Sequence, residues 1–420
     1  MRNGSRFSAA MTAPDQSSNA FMSAEQNRTA RRNAFLLSAG QATGGANGAI
    51  IISAGSIAGH MLLGADKSLA TLPVTSFILG AALSTIPANM IMQALGRRGG
   101  YFIGCSAGIL AGLIAALGLY LNQFWIFTAG LLISGVYWAF VQSYRFAAAD
   151  AASDTFKAKA ISWVMAGGVA AAIIGPQTVI WTKELFQPFL FLGTFLAISV
   201  LALIAMPVVT AVRIEKPKPA HSGDGARPLS QIIRQPRFVV AALCGATSFA
   251  SMSLVMTASP LAMVGCGLST TNAALGIQWH VLAMYLPSFF TGHLIARFGK
   301  GTIVATGLIL IGLAAVVALH GITLMHFWTT LILLGLGWNL GFIGSTALLT
   351  DCHAPAERNK VQGLNDFMVF GFNALASFSS GLLLTGFGWD IVNLVVFPGI
   401  IASLAGLLWL AGTANRRVTA

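Results

Sequence analysis

The chain has 420 residues, of which 56% are hydrophobic and 9% charged, with a formal net charge of +12. Soluble domains carry roughly a quarter charged residues, so a water-exposed globular protein is excluded. The basic residues stand in short gaps between apolar runs, which fits membrane topology and argues against nucleic acid as a partner.

Residues 1–33 are polar, Ser- and Asn-rich and basic. They lack the short apolar core and cleavage site of a secretory signal and read as a disordered cytoplasmic tail. Apolar runs of about 20 residues follow, long enough to cross a bilayer as helices. Twelve are expected: 34–58, 72–94, 101–121, 124–148, 160–181, 188–212, 238–259, 273–296, 302–320, 327–349, 361–385 and 390–412. The pattern predicts an all-α membrane protein of twelve transmembrane helices in two six-helix halves. The first half covers 34–212 and the second 238–412, joined by a polar, proline-bearing linker at 213–237 and followed by a cytoplasmic tail at 413–420.

With the N-terminus inside, 22 of the 24 Lys and Arg fall on the cytoplasmic side, and only Lys67 and Lys183 lie outside. The positive-inside rule therefore predicts two cytoplasmic termini. Cys105, Cys244, Cys266 and Cys352 have neither metal nor disulfide spacing, and no cofactor or metal is expected.

The two halves repeat. Gly96 in LGRRGG matches Gly299 in RFGKGT, 203 residues later. Asp150 in DAASDTFKAKA matches Asp351 in DCHAPAERNKV, 201 residues later, each with a Lys nine positions on. The two basic turns, NMIMQALGRR and GHLIARFGK, fall after spans two and eight. A glycine-plus-basic turn at those places resembles the loop signature of the major facilitator superfamily, G-x-x-x-D-R-x-G-R-R. Both copies depart from it at the acid, where Gln93 and Ala296 stand. The resemblance implies a transporter with a midplane site between the halves, and its missing acid puts a charge-based latch in doubt. Arg97, Arg98 and Arg297 read either as gate residues or as plain topology anchors.

The resemblance also implies that spans 1, 4, 7 and 10 line a cavity. Polar groups at that depth face a cavity or a protein partner. Asn47 in span 1 reads equally as a site residue and as an interhelical hydrogen-bonder. In span 4, Tyr137 and Trp138 stand near mid-depth, Gln142 lies one turn on, and Arg145 and Asp150 fall at the cytoplasmic end. His280 in span 8 is a structural or a proton-coupling group. Span 10 places Trp338 and Asn339 at its midpoint, suited to stacking on a flat ring and bonding its edge. Span 11 offers Asp366 near its start, for coupling or dipole stabilisation, and Asn373 at mid-depth. No deep carboxylate pair or arginine cluster is visible, so a largely uncharged planar solute is expected.

The segments YRFAAAD, AISWVMAGG, GPQTVIWT, GIQWHVLAMYLPSFFTG, GWNLGFIGSTALLTDC and ERNKVQGLNDF resemble one branch of bacterial major facilitator carriers. That branch includes riboflavin importers of the inner membrane, which implies riboflavin as substrate, membrane lipid as surroundings and a monomer enclosing its own path. The alternative is a proton-coupled drug or metabolite exporter, supported by Gly175-Pro176 in GGVAAAIIGPQ, a stretch that also suits helix packing. No zincin, phosphate-loop or Ser–Lys pattern points to an enzyme.

Overall fold

A computed structural model describes residues 16–153, 156–214, 227–354 and 357–418, and the described residues form helices and no strand. The first helix, α1 (Gln16–Leu62), begins before the expected span. Residues 16–33 are therefore helical rather than disordered, and residues 1–15 lie outside the described ones. The cause is local. Ala30 and Asn33 are buried, and the Asn33 amide donates to the Arg213 carbonyl at 2.8 Å while its oxygen accepts from the Arg213 N–H at 3.0 Å. This pair ties the start of the first half to its end.

Helix α2 (Leu72–Tyr120) contains both the second and third expected spans. It breaks at Gly96, whose φ of 77° and ψ of 167° are not helical, and Gly100 packs back on Met92 across the turn. In the second half Gly299 adopts φ 84° and ψ 153° between α10 (Ser288–Phe298) and α11 (Lys300–Leu319), as given below. The two repeated turns therefore share one left-handed backbone, which glycine adopts without a Cβ penalty.

The fourth span is α3 (Phe124–Val141) followed by α4 (Tyr144–Asp150), and the fifth and sixth are α5 (Lys157–Thr182) and α6 (Leu192–Thr210). The linker carries a short helix, α7 (Leu229–Ile233). Then come α8 (Pro236–Gly265), α9 (Thr270–Tyr285) and α10, with Leu286–Pro287 interrupting the eighth span. After α11 follow α12 (Leu324–Leu349), α13 (Arg358–Phe387), α14 (Trp389–Leu394) and α15 (Val396–Val418).

Nine helical stretches among the described residues are long and apolar enough to cross a membrane. The number is below twelve for physical reasons. Helix α2 is one stretch with two limbs, α1 is diluted by Gly, Ser and Asn, and proline splits α9 from α10.

Small residues let the helices approach. A Cβ on Gly175 would lie 2.6 Å from Ala49 Cβ and 2.8 Å from Ala46 O, so the Gly175-Pro176 stretch is a packing face of α5 on α1. The linker is anchored outside the bilayer. Arg227 donates from Nε and from its terminal nitrogen to the two Glu357 oxygens, both at 2.7 Å, and its backbone N–H adds a bond of 2.9 Å. The Ala354 N–H donates to the same carboxylate at 2.8 Å. These donors hold the Glu357 carboxyl well below its ordinary range, at about 2.

Candidate functional site

The halves meet at the end of the molecule opposite the glycine turns. Thr75 Oγ1 of α2 lies 3.0 Å from Ser377 Oγ of α13, and Gly381 packs against Thr71. Gln177 Nε2 of α5 donates to Gln278 Oε1 of α9 at 2.9 Å. Lys183 Nζ, just past α5, donates to the Thr270 and Thr271 hydroxyls at 2.9 Å each. Four side-chain bonds between halves therefore close this end.

On α13, Asp366, Phe370, Asn373 and Ser377 recur at helical spacing and share one face. One end of that face touches the first half through Ser377. The other end is within electrostatic range of Arg145 of α4, which also feels Tyr285 of α9. Tyr285 in turn packs opposite Gly168 of α5. The residues between these levels make up the candidate site.

Aromatic rings form its wall in the second half. Trp338 stacks on Phe342 of α12 with centroids 5.3 Å apart and planes 16° from parallel. Phe249 of α8 stands edge-on to Trp338, Phe342 and Phe370, at 5.4, 5.0 and 5.8 Å. All four rings are half-buried. Edge-to-face sets of this kind are worth about 0.5–1.5 kcal/mol per pair and hold the rings in fixed orientation. Asn373, one turn from Phe370, is buried, and its Oδ1 has no partner among the described residues.

The first half presents a different wall. Trp138 lies over Gly48 of α1, where a Cβ would fall 3.2 Å from the indole, and tilts against Phe77 at 5.9 Å. Gln142 follows, half-buried, and then Arg145, exposed.

Several expected site residues stand elsewhere. Asn47 is buried between helices and accepts from Ser134 Oγ of α3 at 2.8 Å. Asn339 is fully buried: its amide donates to Met284 O at 2.6 Å and Ser288 Oγ at 2.7 Å, and its oxygen accepts from Thr291 Oγ1 at 2.6 Å. It satisfies the backbone that Pro287 disrupts and braces the α9–α10 bend against α12. Tyr137 is buried in the first half's core, with its hydroxyl near where a Gly44 Cβ would be. His280 is buried between α9 and α12, with Nδ1 2.7 Å from Leu331 O, and does not border the space between the halves. All four serve helix packing. The two amides and the imidazole take backbone or hydroxyl partners in their own halves, whereas the Tyr137 hydroxyl has no hydrogen-bond partner among the described residues and its ring packs in the core.

The charged residues sort by half. Arg97 is buried and ion-paired with Asp150. In the second half the matching pair is Lys300 with Asp351 at 2.6 Å, so Lys300, not Arg297, is the counterpart of Arg97. Arg297 is exposed beside the Phe298 ring, and Arg98 is exposed. Both repeated turns are thus tied to the ends of their own fourth and tenth spans.

A cavity of 710 Å³ runs along α8 and α13, lined by Val239, Leu243, Phe372 and Leu375 among others. Those α13 residues lie on the face opposite Phe370 and Asn373, so this cavity is separate from the candidate site.

Two helical halves around a shared polar and aromatic space, with repeated basic turns, define a multi-pass membrane carrier of small molecules. The chain belongs to the Major Facilitator Superfamily, whose description it matches over residues 34–285 and again over 243–419. It is 52% identical over 381 residues to the riboflavin transporter RfnT of Brucella anthropi, covering 90% of this chain and 96% of that one. It is 30% identical over 401 residues to YdeG of Bacillus subtilis, an uncharacterized transporter of the same type, covering 90% and 91%. Among solved structures, the nucleoside transporter NupG superposes with a TM-score of 0.70 at 13% identity, covering 89% of this chain and 99% of that one. The POT family transporter PepTSo gives 0.70 at 11% identity, covering 92% and 98%. These two share the fold.

Proposed function

We propose that this protein imports riboflavin across the bacterial inner membrane by alternating access. The observation that carries the reading is the 52% identity over 90% of the chain to a riboflavin transporter. The site supports it. Riboflavin is an uncharged flat ring with a polyol tail, and the space between the halves offers aromatic faces, amides and hydroxyls with no dense charge.

In this reading the chain crosses the membrane twelve times, with both termini cytoplasmic, and works as a monomer in contact with lipid. The Lys and Arg asymmetry supports that orientation. The end closed by Thr75–Ser377, Gln177–Gln278 and Lys183 then faces outward, and the site opens inward. Trp138, Gln142, Trp338 and Asn373 contact the substrate. Arg145 and Asp366 lie within electrostatic range of each other across the halves and carry gating or coupling, while Arg97 and Asp150 hold the first turn closed on its own half. Gly175-Pro176, the feature behind the exporter alternative, is accounted for by α1–α5 packing.

A bacterium unable to make riboflavin tests the reading. With this protein it grows on low external riboflavin, and without it growth fails. No rescue by well-expressed protein overturns the substrate.

A further inference from the structure

The two halves repeat in sequence, yet the walls they turn toward the shared space differ in kind. Trp138 and Trp338 stand 200 residues apart at matching places, in GVYW and GLGW. Around Trp338 the neighbours are Phe249 and Phe342, and Phe370 stands on the other side of Phe249. Around Trp138 the neighbour from α1 is Gly48, in the place that Phe249 of α8 takes beside Trp338. At the offset of the tryptophans, Gln142 replaces Phe342, and at the offset of the aspartates Val169 replaces Phe370. Arg145, one turn beyond Gln142, has its guanidinium over the Phe146 ring and lies within electrostatic range of Asp366 in the second half. A duplicated scaffold has therefore kept four packed aromatic rings on one side, and on the other, beyond Trp138 and Phe77, small and polar residues in their place.

An amphiphilic planar solute in such a space has one favourable orientation. A flat ring recovers stacking area against fixed aromatic faces, and a hydroxylated tail loses fewer hydrogen bonds beside an amide and a guanidinium. We propose that the second half binds the ring of the substrate, with Phe249, Trp338, Phe342 and Phe370 as its platform, and that the first half binds the hydroxylated tail through Gln142 and Arg145. Phe249, which alone touches all three other rings, is the specificity-determining residue of this platform. The inference rests on the reading of riboflavin as substrate and adds its orientation. Asn373, beside Phe370 with an unpartnered carbonyl oxygen, accepts a hydrogen bond from a ring N–H at the platform's edge.

Binding to purified protein in detergent, followed by flavin fluorescence, separates the two ends of the substrate. The probes are riboflavin and lumichrome, the latter having the ring without the ribityl tail. Wild type binds both. Phe249→Ala weakens both by about tenfold or more, in line with the cost of removing an aromatic stacking surface, and Phe249→Tyr restores binding in a protein of the same fold. Gln142→Ala weakens riboflavin by several-fold and leaves lumichrome unchanged. If Phe249→Ala spares lumichrome while Gln142→Ala weakens it, the orientation is reversed and the inference fails. If Phe249→Ala and Gln142→Ala affect both probes equally, no end-specific wall exists and the inference fails. Wild type that binds neither probe overturns the riboflavin reading itself, and the orientation with it, whatever the variants do.

Discussion

At the scale of single residues, the chain separates tryptophans from asparagines. Trp338 keeps a half-exposed ring on a surface shared with Phe249 and Phe342, whereas its neighbour Asn339 is fully enclosed and hydrogen-bonded on both ends. The two should differ in what truncation does to binding. Trp338→Ala removes a stacking face worth about 1–3 kcal/mol, so apparent affinity for substrate falls about 5- to 150-fold, while the lost ring pairs with Phe249 and Phe342 lower thermal stability as well. Asn339→Ala removes its bonds to the Met284 carbonyl and the Ser288 and Thr291 hydroxyls, leaving the Met284 carbonyl with only a long Ser288 contact, costing about 1–2 kcal/mol and lowering the melting temperature. Uptake kinetics alongside thermal unfolding in detergent check both. A second residue-scale prediction concerns Glu357. Its carboxyl titrates at about 2 in the folded protein, below the ordinary value of 4.5. The stability it contributes is therefore complete above about 4.5 and is lost as pH falls through about 2. Glu357→Gln should melt below wild type at pH 7, and the gap should narrow as the buffer is taken from pH 5 toward 2.

At the scale of elements, glycines decide how closely helices pack. Gly175 faces the α1 backbone at a distance no Cβ accepts, and Gly363 of α13 has nothing within 4 Å. Gly175→Ala should destabilise by about 1–3 kcal/mol through overpacking. Gly363→Ala should be neutral or stabilise by up to about 1 kcal/mol, because a helix-interior glycine is entropically costly. Melting temperatures of the two variants compare them directly. The elements were also the most legible part of the sequence. The apolar runs, the two turns at Gly96 and Gly299 and the paired aspartates all reappear at the expected places, because bilayer length and positive φ leave few alternatives. Hydropathy could not see that α1 extends to Gln16, since that extension rests on Asn33 meeting Arg213 from 180 residues away. It could not see the break at Pro287 as a bend braced by Asn339 either. In the site, side-chain type told which residues suit a planar solute, but not which way each points. Asn47 and His280 look inward to neighbouring helices, and Phe249, Phe342 and Phe370 were overlooked because phenylalanines in membrane spans are common and mostly face lipid. The repeated GVYW and GLGW were the signal that could have led to them.

At the scale of the whole molecule, the halves are joined at one end and paired internally at the other. The bonds at the closed end are few and polar. Lys183 sits against the first turn of α9, where the helix dipole opposes a cation, so this contact is weak enough to break and re-form. Alternating access requires the Thr75–Ser377 contact to open in each cycle. Cysteines at both positions, in a background with the exposed Cys266 replaced by serine, should form a disulfide that halts transport, and reductant should restore it. Transport that continues with the bridge formed would mean that this end stays shut and the path runs elsewhere.

The central claim, a riboflavin carrier built on two unlike walls, is tested most directly by counterflow in proteoliposomes. Vesicles of purified protein, loaded with unlabelled riboflavin, are placed in radiolabelled riboflavin. The account predicts transient accumulation of label in wild type, loss of that accumulation in Trp338→Ala, and none in protein-free vesicles. Wild-type vesicles that accumulate no riboflavin, while the same preparation exchanges another solute, would contradict it.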